Sequence, residues 1–306
     1  TTCASDTMRS VSEASRSSLY PFGTMLGDFE ASTLVGSLAG VAAVGLLHVT
    51  VAMLYSRKTG HSFVRSAGRV RFPSFTILAL NLLYQGIVLE AALIIFRKTD
   101  GPGQKERSAA TTIVCGVTLA GCAVLPFLYV AWCRKNIPHF RFFRYDHASR
   151  NRLLALFVYP TGHWNHHDPR LNMFRNICGM LNGGRWWMFC TASHTRSLLV
   201  AVIAANQDLD CKVQSALLCA VFWAYAIAIV SVRPLRLRAA NVFSPLVSFL
   251  SGLIALTLLS DDLASLGGTF LVATSGVTVV GAVVQVGAIL AEKVWKKRKV
   301  AIYEEG

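Results

Sequence analysis

Seven stretches of this 306-residue chain are long and apolar enough to cross a lipid bilayer, and that pattern constrains the fold more than any motif does. They run over residues 31–55, 73–96, 109–133, 186–206, 213–232, 242–260 and 267–290. A helix needs ~20 apolar residues to cross the ~30 Å hydrocarbon layer. No water is available there, so each segment has to satisfy its own backbone, which predicts a helix for every block. The blocks are apolar all round and lack the one-sided stripe of a half-wet helix. Composition agrees, with 53% hydrophobic residues, 15% charged residues and a mean hydropathy of +0.47. The fourth block is the least clear. Its strongly apolar part, 197–206, is short, so the span has to reach back through Trp186-Trp187-Met188-Phe189 and take in His194 and Arg196.

Charge orients the blocks. Basic residues close many of them, as at Arg57-Lys58, Arg97-Lys98, Arg134-Lys135 and Arg233. Of the 30 Lys and Arg, 22 fall in one set of alternating segments, 7 in the other, and Arg196 lies inside the fourth block. The positive-inside rule puts the richer set in the cytoplasm. The predicted fold is therefore an all-α integral membrane protein of seven transmembrane helices, N-terminus outside and C-terminus cytoplasmic. Residues 1–28 form a Ser/Thr-rich extracellular juxtamembrane segment, 29–292 the membrane domain, and 293–306 a basic cytoplasmic tail. The formal charge of +14 then reads as loops facing anionic lipid headgroups on the cytoplasmic side, with no nucleic acid as partner.

Only the cytoplasmic connection 134–185 is long enough to hold structure of its own. It carries Phe140-Arg141-Phe142-Phe143-Arg144-Tyr145, a basic-aromatic interleaving suited to an interfacial segment between the third and fourth helices. The apolar run 153–158 is too short to cross, so it is expected to be interfacial or re-entrant. The chain opens Thr1-Thr2-Cys3 with no signal-peptide pattern, which predicts a C-terminal part of a longer protein or a processed form.

The densest cluster of metal-capable side chains is His163, His166, His167 and Asp168. Their spacing matches no closed site, and a polar cytoplasmic loop is the expectation, with no cofactor. Eight cysteines are scattered without a C-x-x-C pair; Cys115, Cys122, Cys133, Cys190 and Cys219 lie in or beside apolar blocks, where a thiol acts as a small hydrophobe. Gly36-x-x-x-Gly40 suggests close helix packing. Polar residues inside spans point further, because lipid makes them costly. They are Asn81, Gln85 and Glu90 in the second helix and His194 and Arg196 in the fourth, with His48 and Gln285 near the cytoplasmic ends of the first and seventh. Glu90 and Arg196 lie at depths within ~5 Å of one another, so their side chains are placed to meet. Either they line an ion or proton path, or they clamp helices together. No paired carboxylates, nucleophile-base set or phosphate loop suggests an enzyme.

Seven spans with an outer N-terminus match the topology of G-protein-coupled receptors. In that family a disulfide links the third span to the following outer loop, a role that would fall to Cys115 and Cys211. The third span nevertheless ends Cys133-Arg134-Lys135 without Asp-Arg-Tyr, and the seventh has neither Asn-Pro-x-x-Tyr nor a Lys.

The second half carries Tyr159-Pro160-x-Gly162-x-Trp164, the stretch from Arg175 to Trp187, Arg233-Pro234-x-Arg236, and Asn241 opening the sixth span. Over residues 150–260 this resembles the multi-span C-terminal region of trypanosomatid dispersed gene family surface proteins. The resemblance implies a large N-terminal ectodomain in a longer chain, a plasma-membrane location, and adhesion or surface sensing. It carries no catalytic residues. The expected function is a polytopic anchor for a cell-surface protein. The alternatives are a channel or transporter with a polar path through the second and fourth helices, and a seven-helix receptor without the standard motifs.

Overall fold

In the computed structural model each apolar block is a helix. The structure describes residues 32–96, 108–144, 160–164, 172–174, 177, 179–206, 208–259 and 261–304. The membrane helices are α1 (Ser32–Thr59), α3 (Ser74–Phe96), α4 (Ala109–Asn136), α5 (Ala192–Ala205), α6 (Cys211–Val232), α7 (Arg238–Thr257) and α8 (Asp261–Glu304). Among the described residues seven spans are long and apolar enough to cross a bilayer, and they coincide with the seven blocks read from sequence. The protein is an all-α, seven-span membrane protein.

Three local features depart from the expected pattern. First, the short helix α2, Phe63–Val70, follows α1 and buries Ser66, Ala67 and Gly68. His48 Nε2 in α1 lies 2.9 Å from the Val70 carbonyl and holds the end of α2 in place. Second, the fourth span is not one α-helix. It opens as a 3₁₀ helix, Gly184–Thr191, with a non-helical kink at Trp186, before α5 begins. The 3₁₀ form rises ~2.0 Å per residue against ~1.5 Å for α, so residues 186–205 reach about 33 Å and a short apolar run suffices. Third, the basic-aromatic segment contributes a strand. β1 (Phe142–Arg144) pairs antiparallel with β2 (Gly162–Trp164), in the register Phe142 opposite Trp164 and Arg144 opposite Gly162. Tyr145 and the run 153–158 lie outside the described residues.

α8 extends further than its apolar block. Its 44 residues span roughly 66 Å at 1.5 Å per residue, so the helix runs on well past the membrane-crossing part, Leu266–Glu292, to Glu304. The predicted basic tail is thus a continuation of the last span.

The helices pack as an open row. α1 lies on α3, α3 on α4 and α5, α5 on α6, α6 on α7, and α7 on α8. The central core gathers Leu34, Tyr84, Ile87, Val88, Cys115 and Ala201 from four helices. A second core, at the Arg/Lys-rich end, joins Tyr129, Cys133 and Ile137 to Trp164 and Leu181 from the loop segments. Small residues set the closest helix contacts: a Cβ on Gly252 would collide with the Trp223 indole, and one on Gly281 would meet Phe243 at 2.9 Å. The Cys115–Cys211 disulfide does not form. Cys115 packs in the central core and Cys211 opens α6, with α5 standing between their helices.

Candidate functional site

The intramembrane polar residues fall into separate contacts. His194 is buried where α5 faces α3 and α4, with its Nε2 2.8 Å from Asn81 Oδ1. The edges of Tyr84 and Tyr129 close over the imidazole at centroid distances of 4.7 and 5.5 Å. Its Nδ1 has no hydrogen-bond partner among the described residues. Apolar and aromatic neighbours therefore enclose a single interhelical hydrogen bond.

Arg196 turns the other way. Residues two apart on an α-helix point ~200° from one another, so His194 and Arg196 cannot face the same neighbours. The Arg196 guanidinium donates to Ser248 Oγ in α7 at 2.9 Å and lies 4.6 Å from the centre of the Tyr225 ring in α6. The Tyr225 hydroxyl sits 3.2 Å from Ser244 Oγ, extending this cluster along α7. The expected meeting of Arg196 with Glu90 is therefore corrected: Glu90 is half-buried in α3 and engaged elsewhere. Gln85, one turn after Asn81, is exposed on the outside of α3. Asn81 and His194 meet, whereas Gln85 is exposed and Arg196 turns to α6 and α7.

Tyr84 is the participant that sequence reasoning overlooked. Pro126 in α4 has no amide hydrogen, which leaves the carbonyl of Cys122, four residues earlier, without its helical donor. The Tyr84 hydroxyl donates to that carbonyl at 2.9 Å. A proline inside a span was the available signal, since in lipid the freed carbonyl has to find a protein donor.

At the Arg/Lys-rich end, the dispersed motif residues come together. The connection between α6 and α7 threads between two loop segments, with Pro160 bridged to Leu237 and Leu181 to Leu235. Asn182 donates its backbone N–H to the Pro234 carbonyl at 2.7 Å, and Arg236 donates its own to Met180 at 2.6 Å. Asn241 brackets Leu235, accepting from its N–H at 3.1 Å and donating to its carbonyl at 2.7 Å. Trp164 donates its indole N–H to the Leu181 carbonyl at 3.2 Å. Arg236 ties in α8: its Nη1 donates to Glu292 Oε1 at 2.8 Å and to the Gly162 carbonyl at 3.0 Å. We call this assembly the interfacial knot.

His163 sits on β2, its ring stacked on Phe143 at 5.4 Å. Among the described residues no group of three His, Cys, Asp or Glu could hold a metal; His166, His167 and Asp168 lie outside them. No protein-family model, curated protein or solved structure matches the chain.

Proposed function

We propose that the seven helices serve as a plasma-membrane anchor domain, carrying a larger cell-surface protein with its N-terminal side outside. The observation that carries this reading is the use made of the polar side chains inside the spans. Asn81 with His194 joins α3 to α5, and Arg196 with Ser248 and Tyr225 joins α5 to α7 and α6. Groups spent on cross-helix bonds hold a bundle together, and the closely packed small residues at Gly252 and Gly281 serve the same end. The basic loops favour an inner face toward anionic lipid, and the motif resemblance favours a surface role.

Purified protein in liposomes is expected to pass no ions or protons above the protein-free background, under either a pH gradient or an applied potential. His194→Ala and Arg196→Gln are each expected to lower stability in detergent by about 0.6–2 kcal/mol, the range of interhelical hydrogen bonds in membranes. Flux that either substitution abolishes while the protein stays folded would replace the anchor by a conduit.

A further inference from the structure

At the knot end, α6 and α7 leave a cleft of about 980 Å³ between them. That volume lies at the upper end of the ~300–1,000 Å³ typical of small-molecule sites. Its wall is apolar, built by Ile227 and Val230 of α6 with Val242, Leu246 and Phe249 of α7. Its mouth is basic and polar, formed by Arg233, Arg238 and Asn182. Among the described residues no acidic side chain lines it. Arg233 is exposed, and its guanidinium makes no hydrogen bond or ion pair among the described residues. Asn182 Oδ1 accepts from the Thr161 hydroxyl at 2.7 Å, which leaves its amide N–H groups as further donors.

The dimensions match one leaflet. Arg238 to Phe249 covers roughly 16 Å at 1.5 Å per residue, about half of the ~30 Å hydrocarbon layer. Both ends of the cleft are fixed. Toward mid-membrane, Trp223 seats against Gly252, donates to the Phe249 carbonyl at 3.3 Å and stacks on its ring. At the mouth, Arg233 closes α6 in the left-handed conformation, and the knot bonds hold the residues that follow it. The backbone of Arg233 is thus fixed at the end of an apolar groove, which keeps its side chain at the mouth.

We infer that this cleft binds a single anionic phospholipid from the leaflet on the basic face. Its phosphate sits on Arg233, with Arg238 adding positive charge to the mouth, and an acyl chain lies along Val230, Leu246 and Phe249. Guanidinium groups suit phosphate because their planar donors match its oxygens in pairs. The apolar wall adds what a free phosphate cannot use.

The test is native mass spectrometry of the full chain in non-ionic detergent, titrated with phosphatidylglycerol and with phosphatidylcholine of identical chains. One equivalent of phosphatidylglycerol should bind ~10-fold or more tightly than phosphatidylcholine. Arg233→Gln with Arg238→Gln should bring the two lipids level, whereas Arg57→Gln, an exposed arginine at the end of α1, should change nothing. Val230→Trp, which fills the groove and spares both arginines, should also remove the bound lipid. If the double substitution fails to fold, Arg233→Gln alone and Val230→Trp decide. Equal binding of both lipids, an equal loss in Arg57→Gln, or an unchanged adduct in Val230→Trp would overturn the proposal. Complete competition by millimolar inorganic phosphate would overturn it too, reducing the cleft to a free-anion site.

Discussion

Pro126 and Tyr84 show how a single residue shapes the fate of another in lipid. The Cys122 carbonyl has lost its helical donor and has no water to turn to, so the Tyr84 hydroxyl supplies the bond. Tyr84→Phe is expected to destabilise the protein by about 1–3 kcal/mol, the cost of an unsatisfied buried acceptor. Pro126→Ala restores an amide hydrogen to the same carbonyl. In that background the Tyr84→Phe penalty should shrink, and a double-mutant cycle from thermal unfolding in detergent reads the coupling. Strictly additive penalties would mean the hydroxyl stabilises the bundle in some other way. The His194–Asn81 contact belongs to the same scale, a polar group made affordable by one partner and two aromatic edges.

Between elements, the interfacial knot does for α6, α7 and α8 what long loops fail to do for most bundles. A five-residue connection, 233–237, is bonded on both sides by the 160–164 and 180–182 segments, and Arg236 carries the tie on to Glu292 in α8. The pair is nearly buried, with side-chain exposures of 11% and 7%. Removing one partner deprives the other, nearly buried charge of this ion pair. Arg236→Gln or Glu292→Gln is therefore expected to cost about 2–4 kcal/mol, somewhat under the ~3–5 of a fully buried pair. Replacing both, as Arg236→Met with Glu292→Leu, should recover part of that loss because no lone charge remains. Thermal unfolding midpoints of the three variants check this; a double variant worse than either single one would show that Arg236 matters mainly through the Gly162 carbonyl.

At the scale of the whole molecule, the helices form a row, not a closed ring. α8 packs on α7 and presents Val272, Val279 and Val283 outward, 63–73% exposed. In water such a surface would aggregate, whereas in a bilayer acyl chains cover it at no cost. The positive-inside rule predicts the orientation of the row. An epitope tag inserted at Gly60, in the turn between α1 and α2, is expected to stay hidden from antibody in intact cells and to appear only after permeabilisation. The same tag at Asp208, between α5 and α6, should be reached directly. Reversed accessibility would invert the positive-inside assignment.

The number of spans was legible in the sequence because it depends on a one-dimensional quantity, the run of apolar residues a bilayer demands. The helical state followed from the same cause, since lipid leaves an isolated segment no other way to satisfy its backbone. The contacts were legible only in part. Asn81, His194 and Arg196 could be singled out as costly, but their partners depend on helix rotation and on which helices are neighbours, and no linear pattern encodes either. The two-residue offset of His194 and Arg196 does separate their directions, yet only packing assigns α3 to one and α6 with α7 to the other. The knot is a further case. Pro160, Trp164, Leu181, Pro234, Arg236 and Asn241 are spread over some eighty positions, and their backbone bonds exist because the tertiary fold returns three loops to one end of the bundle. Tertiary structure alone decided those meetings, since a hydrogen bond needs two groups within ~3 Å and sequence distance says nothing about that separation.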